Sequence, residues 1–276
     1  MSAVLFIIVL VTSFVFAMLG LGGGMVYVPM LKWAGLDLKQ MAIPLGLLLN
    51  GLNTLLVLIP YHRARLVDYQ GSWPMGLMAM LLAPVGAYVT KFVSNKFLII
   101  FFTVAVLAAA LKILNDVLRP FWQKKYLVAT DVAVETLQQR PPLDETGTEI
   151  LMPIRKRMLF GGALGAGIGF LGGLLGVGGG FIVAPVLMTM GYPTKQAAAT
   201  TAFVVTFSSF SGYLGHMAGG QVFTWLMLWL VVAVAIGSQL GGNFMAKKAK
   251  PAWVKSIYGV ILLLISAKLI VEMVAR

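Results

Sequence analysis

Apolar residues fall in long blocks along this chain, and polar residues collect between them. The blocks cover residues 3–31, 41–60, 73–90, 97–118, 158–190, 197–215, 223–246 and 252–274. A helix crosses the hydrocarbon core of a bilayer with about 20 apolar residues, so the pattern predicts an all-α polytopic membrane protein. Two blocks do not fit one plain helix. Residues 3–31 are interrupted by Gly20-Leu21-Gly22-Gly23-Gly24, and residues 158–190 by Gly176-Val177-Gly178-Gly179-Gly180. Adjacent glycines interrupt a helix because each loses much backbone freedom and brings no side chain to pack. Each of these blocks is expected to be a discontinuous or re-entrant helix.

The two interruptions are copies. At an offset of 156 residues, ten of the 26 positions from Gly20 to Leu45 are identical. They include Pro29/Pro185, Leu31/Leu187, Gly35/Gly191, Lys39/Lys195 and Gln40/Gln196. With small shifts the correspondence extends through His62/His216, Gly86/Gly241 and Lys112/Lys268. The chain divides into a first transmembrane repeat, 1–118, a polar linker, 119–157, and a second repeat, 158–276. The linker holds seven Lys/Arg, five of the nine acidic residues and Pro141-Pro142, as a solvent or membrane-surface segment would. Paired four-segment repeats in a polytopic chain point to a transporter with two related halves.

Composition agrees with a membrane class. Of 276 residues, 59% are hydrophobic and 11% charged, with a mean hydropathy of +0.92. Soluble domains carry about 25% charged residues. The net charge of +12 does not signal nucleic acid, because the cations sit in loops between apolar blocks. They read instead as orientation signals and contacts with anionic lipid. There is no cysteine, which excludes disulfides and thiolate chemistry. The N-terminus has neither a basic n-region nor a small-residue cleavage site, so its first segment is expected to be retained.

Two topologies compete. If all eight blocks cross, the halves share one orientation and Lys/Arg divide ten on the linker side against nine opposite. If each glycine-broken block enters and returns, each half crosses three times and the halves are inverted. The linker side then collects 14 cations against five: Lys32, Lys39, Lys91, Lys96 and Arg276. The positive-inside rule expects such a bias, which favours the inverted arrangement with a cytoplasmic linker. A break near the middle of each block would leave two half-helices, each too short to cross.

The breaks suggest their own chemistry. A half-helix N-terminus presents bare N–H groups at the positive end of its dipole, and successive glycine N–H groups form an anion-holding nest. Gly22, Gly23, Gly24, Gly178, Gly179 and Gly180 are the candidate anion ligands, facing one central site without fixed charge. Asn50, Thr200 and Thr201 follow the breaks and are candidate polar ligands. Asn53, Thr206, Ser208, Ser209, Gln239 and Asn243 are further polar groups in apolar blocks. Lys39 and Lys195 could guide anions to the mouth or serve as solvated loop residues. Two bland readings stand beside these: close helix packing for Gly161/Gly165/Gly169, and local hydrogen bonding for Ser, Thr and Asn. Freed carbonyls could also hold a cation. Asp37, Asp68, Asp116 and Glu272 all lie near block ends, so no acidic proton relay runs through an apolar block.

These motifs resemble the sulfite exporter TauE/SafE family, also called the toluene-sulfonate uptake permease family. The resemblance rests on GLGGGMVYVPML at 20–31, GVGGGFIVAPVL at 176–187 and the run from Gly191 to Thr201. The first half departs from the pattern, with Ile43-Pro44-Leu45 where the second has Ala199-Thr200-Thr201. The resemblance implies secondary transport of a small sulfur-containing oxyanion, sulfite or an organosulfonate, across the bacterial inner membrane, with export the usual direction. Other anions, uptake, or a role as subunit of a membrane complex are the alternatives. The expected partners are the anion, the bilayer, a coupling proton or ion, and a second copy of the chain; no cofactor or metal is implied. There is no Walker motif and no His-Glu-x-x-His, so neither ATP use by this chain nor an intramembrane enzyme is expected.

Overall fold

The computed structural model describes residues 2–123, 154–190, 192–217, 225–247 and 251–274. Most of the 119–157 linker lies outside these. The described residues form helices and no strand. In the first half these are α1 (Ser2–Leu19), α2 (Gly24–Trp33), a π-helical turn (Leu38–Ala42), α3 (Ile43–Arg63), α4 (Tyr69–Thr90) and α5 (Asn95–Gln123). In the second half they are α6 (Ile154–Leu175), α7 (Gly180–Thr189), α8 (Thr194–Met217), α9 (Trp225–Lys247) and α10 (Pro251–Val274). Among the described residues, four segments are long and apolar enough to cross a membrane: Leu38–Arg63, Tyr69–Thr90, Thr194–Met217 and Met227–Lys247.

Hydrophobicity is arranged for a lipid solvent. Leu264, Leu214, Val104 and Ile7 are more than half exposed, while Asn50, Asn53, Ser208 and Thr200 are completely buried. Apolar side chains fill the core and also cover the outside, and buried polar ones hydrogen-bond each other and the backbone within that core.

The expected half-helices are unequal, which corrects the picture of two short arms. The long arms α1 and α6 have 18 and 22 residues, and the returning arms α2 and α7 have 10 each. Hydropathy is uniform through each block, so it does not mark the stop. The hydrogen bonds do. Gly20, at φ +64°, follows α1 with Gly20 N–H on Ala17 O and Leu21 N–H on Phe16 O. That is the Schellman ending, with glycine in the left-handed position. Gly176, at φ +78°, ends α6 with Val177 N–H on Gly172 O.

Contacts along the helices fix their directions. Gly237 packs on Leu10 and Gly241 on Phe14, so α9 runs parallel to α1. Gly165, Gly169 and Gly173 pack on Met75, Ala79 and Ala83, so α6 runs parallel to α4. Gln239 Nε2 donates to Leu56 O at 2.6 Å and Gly242 meets Pro60, which sets α3 parallel to α9. Gly76 meets Phe203 and Gly215 meets Pro84, which sets α8 parallel to α4. Leu47 meets Gly212 while Gly51 meets Ser209, so α3 and α8 are antiparallel. Thus α1 and α3 run one way and α2 runs back between them, from Gly24 beside Asn50 to Val28 beside Gly46.

Candidate functional site

Each glycine of the first break has a separate local reason. Gly20 stops α1. Gly22, at φ +68°, takes a left-handed turn beside Asn50. Gly23 is the N-cap of α2, and a Cβ on it would meet the Tyr27 ring at 2.1 Å. Gly24 opens α2, and a Cβ there would lie 2.6 Å from the Val177 Cα. In the second break, a Cβ on Gly180 would lie 2.4 Å from Leu21 O. Leu21/Val177 and Gly24/Gly180 are both pairs at the 156-residue offset. The two breaks therefore touch each other reciprocally, backbone against backbone, at the buried centre.

Asn50 bridges them. Its Oδ1 accepts from Gly24 N–H at 2.7 Å, and its Nδ2 donates to Ser209 Oγ at 2.7 Å. A backbone N–H can only donate, which fixes the orientation of the amide. A Cβ on Gly178 would fall 2.3 Å from Asn50 Nδ2 and 2.2 Å from Ser209 Oγ. Ser208 Oγ donates to Gly178 O at 2.7 Å. Gly22, Gly24, Gly178, Gly180 and Asn50 thus converge, with Ser208 and Ser209 beside them. Gly23 and Gly179 are in the same loops but face Tyr27 and Ile168.

The remaining candidates lie elsewhere. Thr200 Oγ1 accepts from Asp68 N–H at 3.1 Å, at the turn between α3 and α4. Tyr192 Oη donates to Asp68 Oδ2 at 2.6 Å, and Gly71 N–H donates to Asp68 Oδ1 at 2.9 Å. Asp68 so caps α4 and ties it to the start of α8. Thr201 is fully buried, and its hydroxyl has no partner among the described residues. Lys39 reaches Lys91 O at 3.5 Å, next to the C-terminus of α4, while Lys195 stands at the opposite end of the bundle, in the first turn of α8. His216 is buried with Nε2 on Gly173 O at 3.1 Å, and Lys268 lies 3.8 Å over the Trp33 ring. Gln239 and Asn243 bond to Leu56 O and Gln239 O, as helix-linking and local amides do.

One polar cluster was not anticipated. Asn53 Nδ2 donates to Tyr27 Oη at 2.9 Å, and Tyr27 Oη lies 2.7 Å from Ser13 Oγ. Ser13 Oγ itself donates to Val9 O at 2.6 Å, so the tyrosine hydroxyl must donate to Ser13. Tyr27 and Ser13 lie in apolar runs with nothing in the sequence to link them, and only the return of α2 along α3 brings them to Asn53. A separate apolar cavity lies between α2, α5 and α10, lined by Val28, Leu98, Phe102 and Leu269 with Lys32 at its edge. It lies to one side of the breaks and contains none of the convergent polar groups.

Electrostatically the centre is polar and uncharged. The buried polar side chains among the described residues are Thr, Ser, Asn and His216, with no Lys, Arg, Asp or Glu.

Comparison with known proteins bears on this arrangement. The chain is 30% identical over 292 residues to the probable membrane transporter protein YunE of Bacillus subtilis (strain 168), covering 99% of this chain and 98% of that one. It is 29% identical over 107 residues to the probable membrane transporter protein y4hK of Sinorhizobium fredii (strain NBRC 101917 / NGR234), covering 38% and 43% of the two chains. No solved structure matches. The sulfite exporter TauE/SafE family matches residues 5–269, so this chain is a membrane transporter that belongs to that family.

Proposed function

We propose that the protein is a secondary transporter of a small sulfur-containing oxyanion, sulfite or an organosulfonate, exporting it across the bacterial inner membrane. The observation that carries this reading is the meeting of two glycine breaks at a buried, uncharged centre. Gly180 N–H has no hydrogen bond among the described residues, and it opens α7 at the positive end of the helix. Gly22–Gly24, Gly178–Gly180 and Asn50 form the anion site, which opens when the breaks part. Thr200 and Thr201 line the linker-side approach, and Lys39 and Lys195 draw anions to the two mouths. A site of neutral donors holds a desolvated oxyanion without trapping it.

The halves, 1–118 and 158–276, are inverted repeats in this proposal, joined by a cytoplasmic linker at 119–157. The shared direction of α1 and α3, and the opposed directions of α3 and α8, support it, since eight alternating crossings require the reverse in both cases. The cation count supports the same orientation. Proteoliposome flux of labelled sulfite, sulfate, thiosulfate and a sulfonate tests the substrate, and imposed pH and ion gradients test coupling and direction. Sulfite or sulfonate movement is expected; no flux under any gradient sinks the reading.

A further inference from the structure

Close backbone contacts sort the central helices into two bodies that cut across the sequence halves. In one body, α9 lies along α1, where Cβ atoms on Gly237 and Gly241 would fall 2.5 Å and 2.2 Å from Leu10 O and Phe14 O. Gln239 and Gly242 then join α9 to α3, and α2 packs back on α3. In the other body, α4 lies along α6, where Cβ atoms on Gly165, Gly169 and Gly173 would fall 2.2, 2.2 and 2.0 Å from Met75 O, Ala79 O and Ala83 O. Ser211 and Gly215 join α4 to α8. The first body is α1, α2, α3 and α9; the second is α6, α7, α8 and α4. They match element for element at the repeat offset, but each has taken one helix from the other half.

We infer that transport moves these two exchanged bodies against one another, with α4 travelling with the second half and α9 with the first. Within each body, glycine rows bring backbones together, so sliding would force side chains or backbone through neighbouring carbonyls. Between the bodies the close backbone contacts are confined to the breaks, where Cβ atoms on Gly20 and Gly180 would fall 1.9 Å and 2.4 Å from Ala198 O and Leu21 O, and do not run along a helix as the glycine rows do. The rest of the contact is the antiparallel pair α3 and α8, pinned by the Asn50–Ser209 hydrogen bond. A site on that seam is exposed to either side when the bodies rock, the motion known for repeat-built transporters. The inference rests on the transport reading, and it goes further by naming which helices move together.

The absence of cysteine makes paired cysteine substitutions a clean test. A Cβ on Gly161 would lie 3.9 Å from Met75 Cβ, within the roughly 3.5–4.5 Å that a disulfide spans. This pair joins the two sequence halves but lies inside one proposed body. Closing a disulfide in Met75→Cys/Gly161→Cys should leave sulfite flux within about twofold of the reduced protein. Closing Gly51→Cys/Ser209→Cys, where the Cβ atoms approach to 3.3 Å across the seam, should cut flux more than about tenfold, with recovery on reduction. Loss of flux on closing the Met75–Gly161 pair overturns the inference, because that is the result expected if the halves move whole. A second readout does not need a substrate. Spin labels at the exposed Leu81 and Leu214, within one body, should give a single narrow distance, while labels at Leu55 and Leu214, across the seam, should give a broader or split one. Equal widths also overturn it. Zero flux in the unsubstituted protein and in reduced Met75→Cys/Gly161→Cys, with the expected label widths, would instead count against the transport reading alone.

Discussion

The two glycine breaks share a sequence motif and differ in how they are finished. In the first, Gly23 has an ordinary φ of −118° and faces the Tyr27 ring, and Gly24 N–H is taken by Asn50. Behind it lies the polar chain of Asn53, Tyr27 and Ser13. In the second, Gly179 is left-handed at φ +78° and faces Ile168, and Gly180 N–H has no partner among the described residues. The positions matching Tyr27 and Ser13 are Val183 and Gly169, so the tyrosine–serine part of that chain has no counterpart there. One break is therefore completed by its own side chains, and the other is left with an open donor. Two similar glycine motifs thus end in two different local structures. In the proposed mechanism the anion is held chiefly by α7, while the α2 break keeps the site in register.

The largest expected effect lies where the breaks touch. Gly24→Val and Gly180→Val each drive a branched side chain into backbone, near Val177 Cα and Leu21 O. Overpacking costs about 1–3 kcal/mol when neighbours can shift, and backbone on both sides cannot shift much. Both variants should fail to accumulate as monodisperse protein in detergent. A well-folded Gly180→Val would show that the second break is looser than the first.

Next is Asn50→Leu. It removes the acceptor of Gly24 N–H and the partner of Ser209, leaving two buried polar groups unsatisfied at about 1–3 kcal/mol each. Thermal unfolding should show a loss of about 3 kcal/mol. Ser208→Ala, on α8 beside the second break, removes only one donor to Gly178 O and should cost about 1 kcal/mol. Equal losses would erase the distinction between a capped and an open break.

The all-helical plan was readable because membrane spans announce themselves by length and hydropathy, and the helix stops because glycine clusters fall inside two of the apolar blocks. What was not legible follows from long-range packing. Asn50 and Ser209 are 159 residues apart, and neither carries a mark that points to the other. Tyr27 looks like one more apolar residue until α2 folds back. Thr200 and Thr201 look alike in sequence, yet one bonds to Asp68 and the other has an unpaired hydroxyl. The exchange of α4 and α9 between halves depends on which glycine rows find each other. Gly161, Gly165 and Gly169 did suggest close packing, without naming α4 as the partner.

Gly179→Ala and Gly23→Ala compare the two caps directly. Alanine at Gly179 meets Ile168 and must also hold a positive φ, a left-handed conformation that costs an L-residue roughly 1–2 kcal/mol. Alanine at Gly23 meets only the tip of Tyr27, with no backbone penalty. Gly179→Ala should therefore be the more destabilising by about 1 kcal/mol in thermal melts. Tyr27→Leu should rescue Gly23→Ala by making room, and no side-chain truncation should fully rescue Gly179→Ala. Full rescue of Gly179→Ala by Ile168→Ala would mean that crowding alone demands that glycine.

The smallest expected effect on transport is that of Tyr27→Phe. The ring stays, so packing against Gly23 is kept, and only the hydroxyl between Asn53 and Ser13 is lost. Asn53 already has an unpaired Oδ1, and the change leaves its Nδ2 with just a 3.5 Å approach to Ser13 O. A loss of about 1–2 kcal/mol is expected in unfolding, the net worth of two buried hydrogen bonds. If the first break only keeps register, anion affinity measured by ligand-induced thermal shift should be unchanged once this stability loss is allowed for. A fall in affinity beyond that would move Tyr27 from scaffold to site, and the two breaks would then share the anion instead of dividing the work.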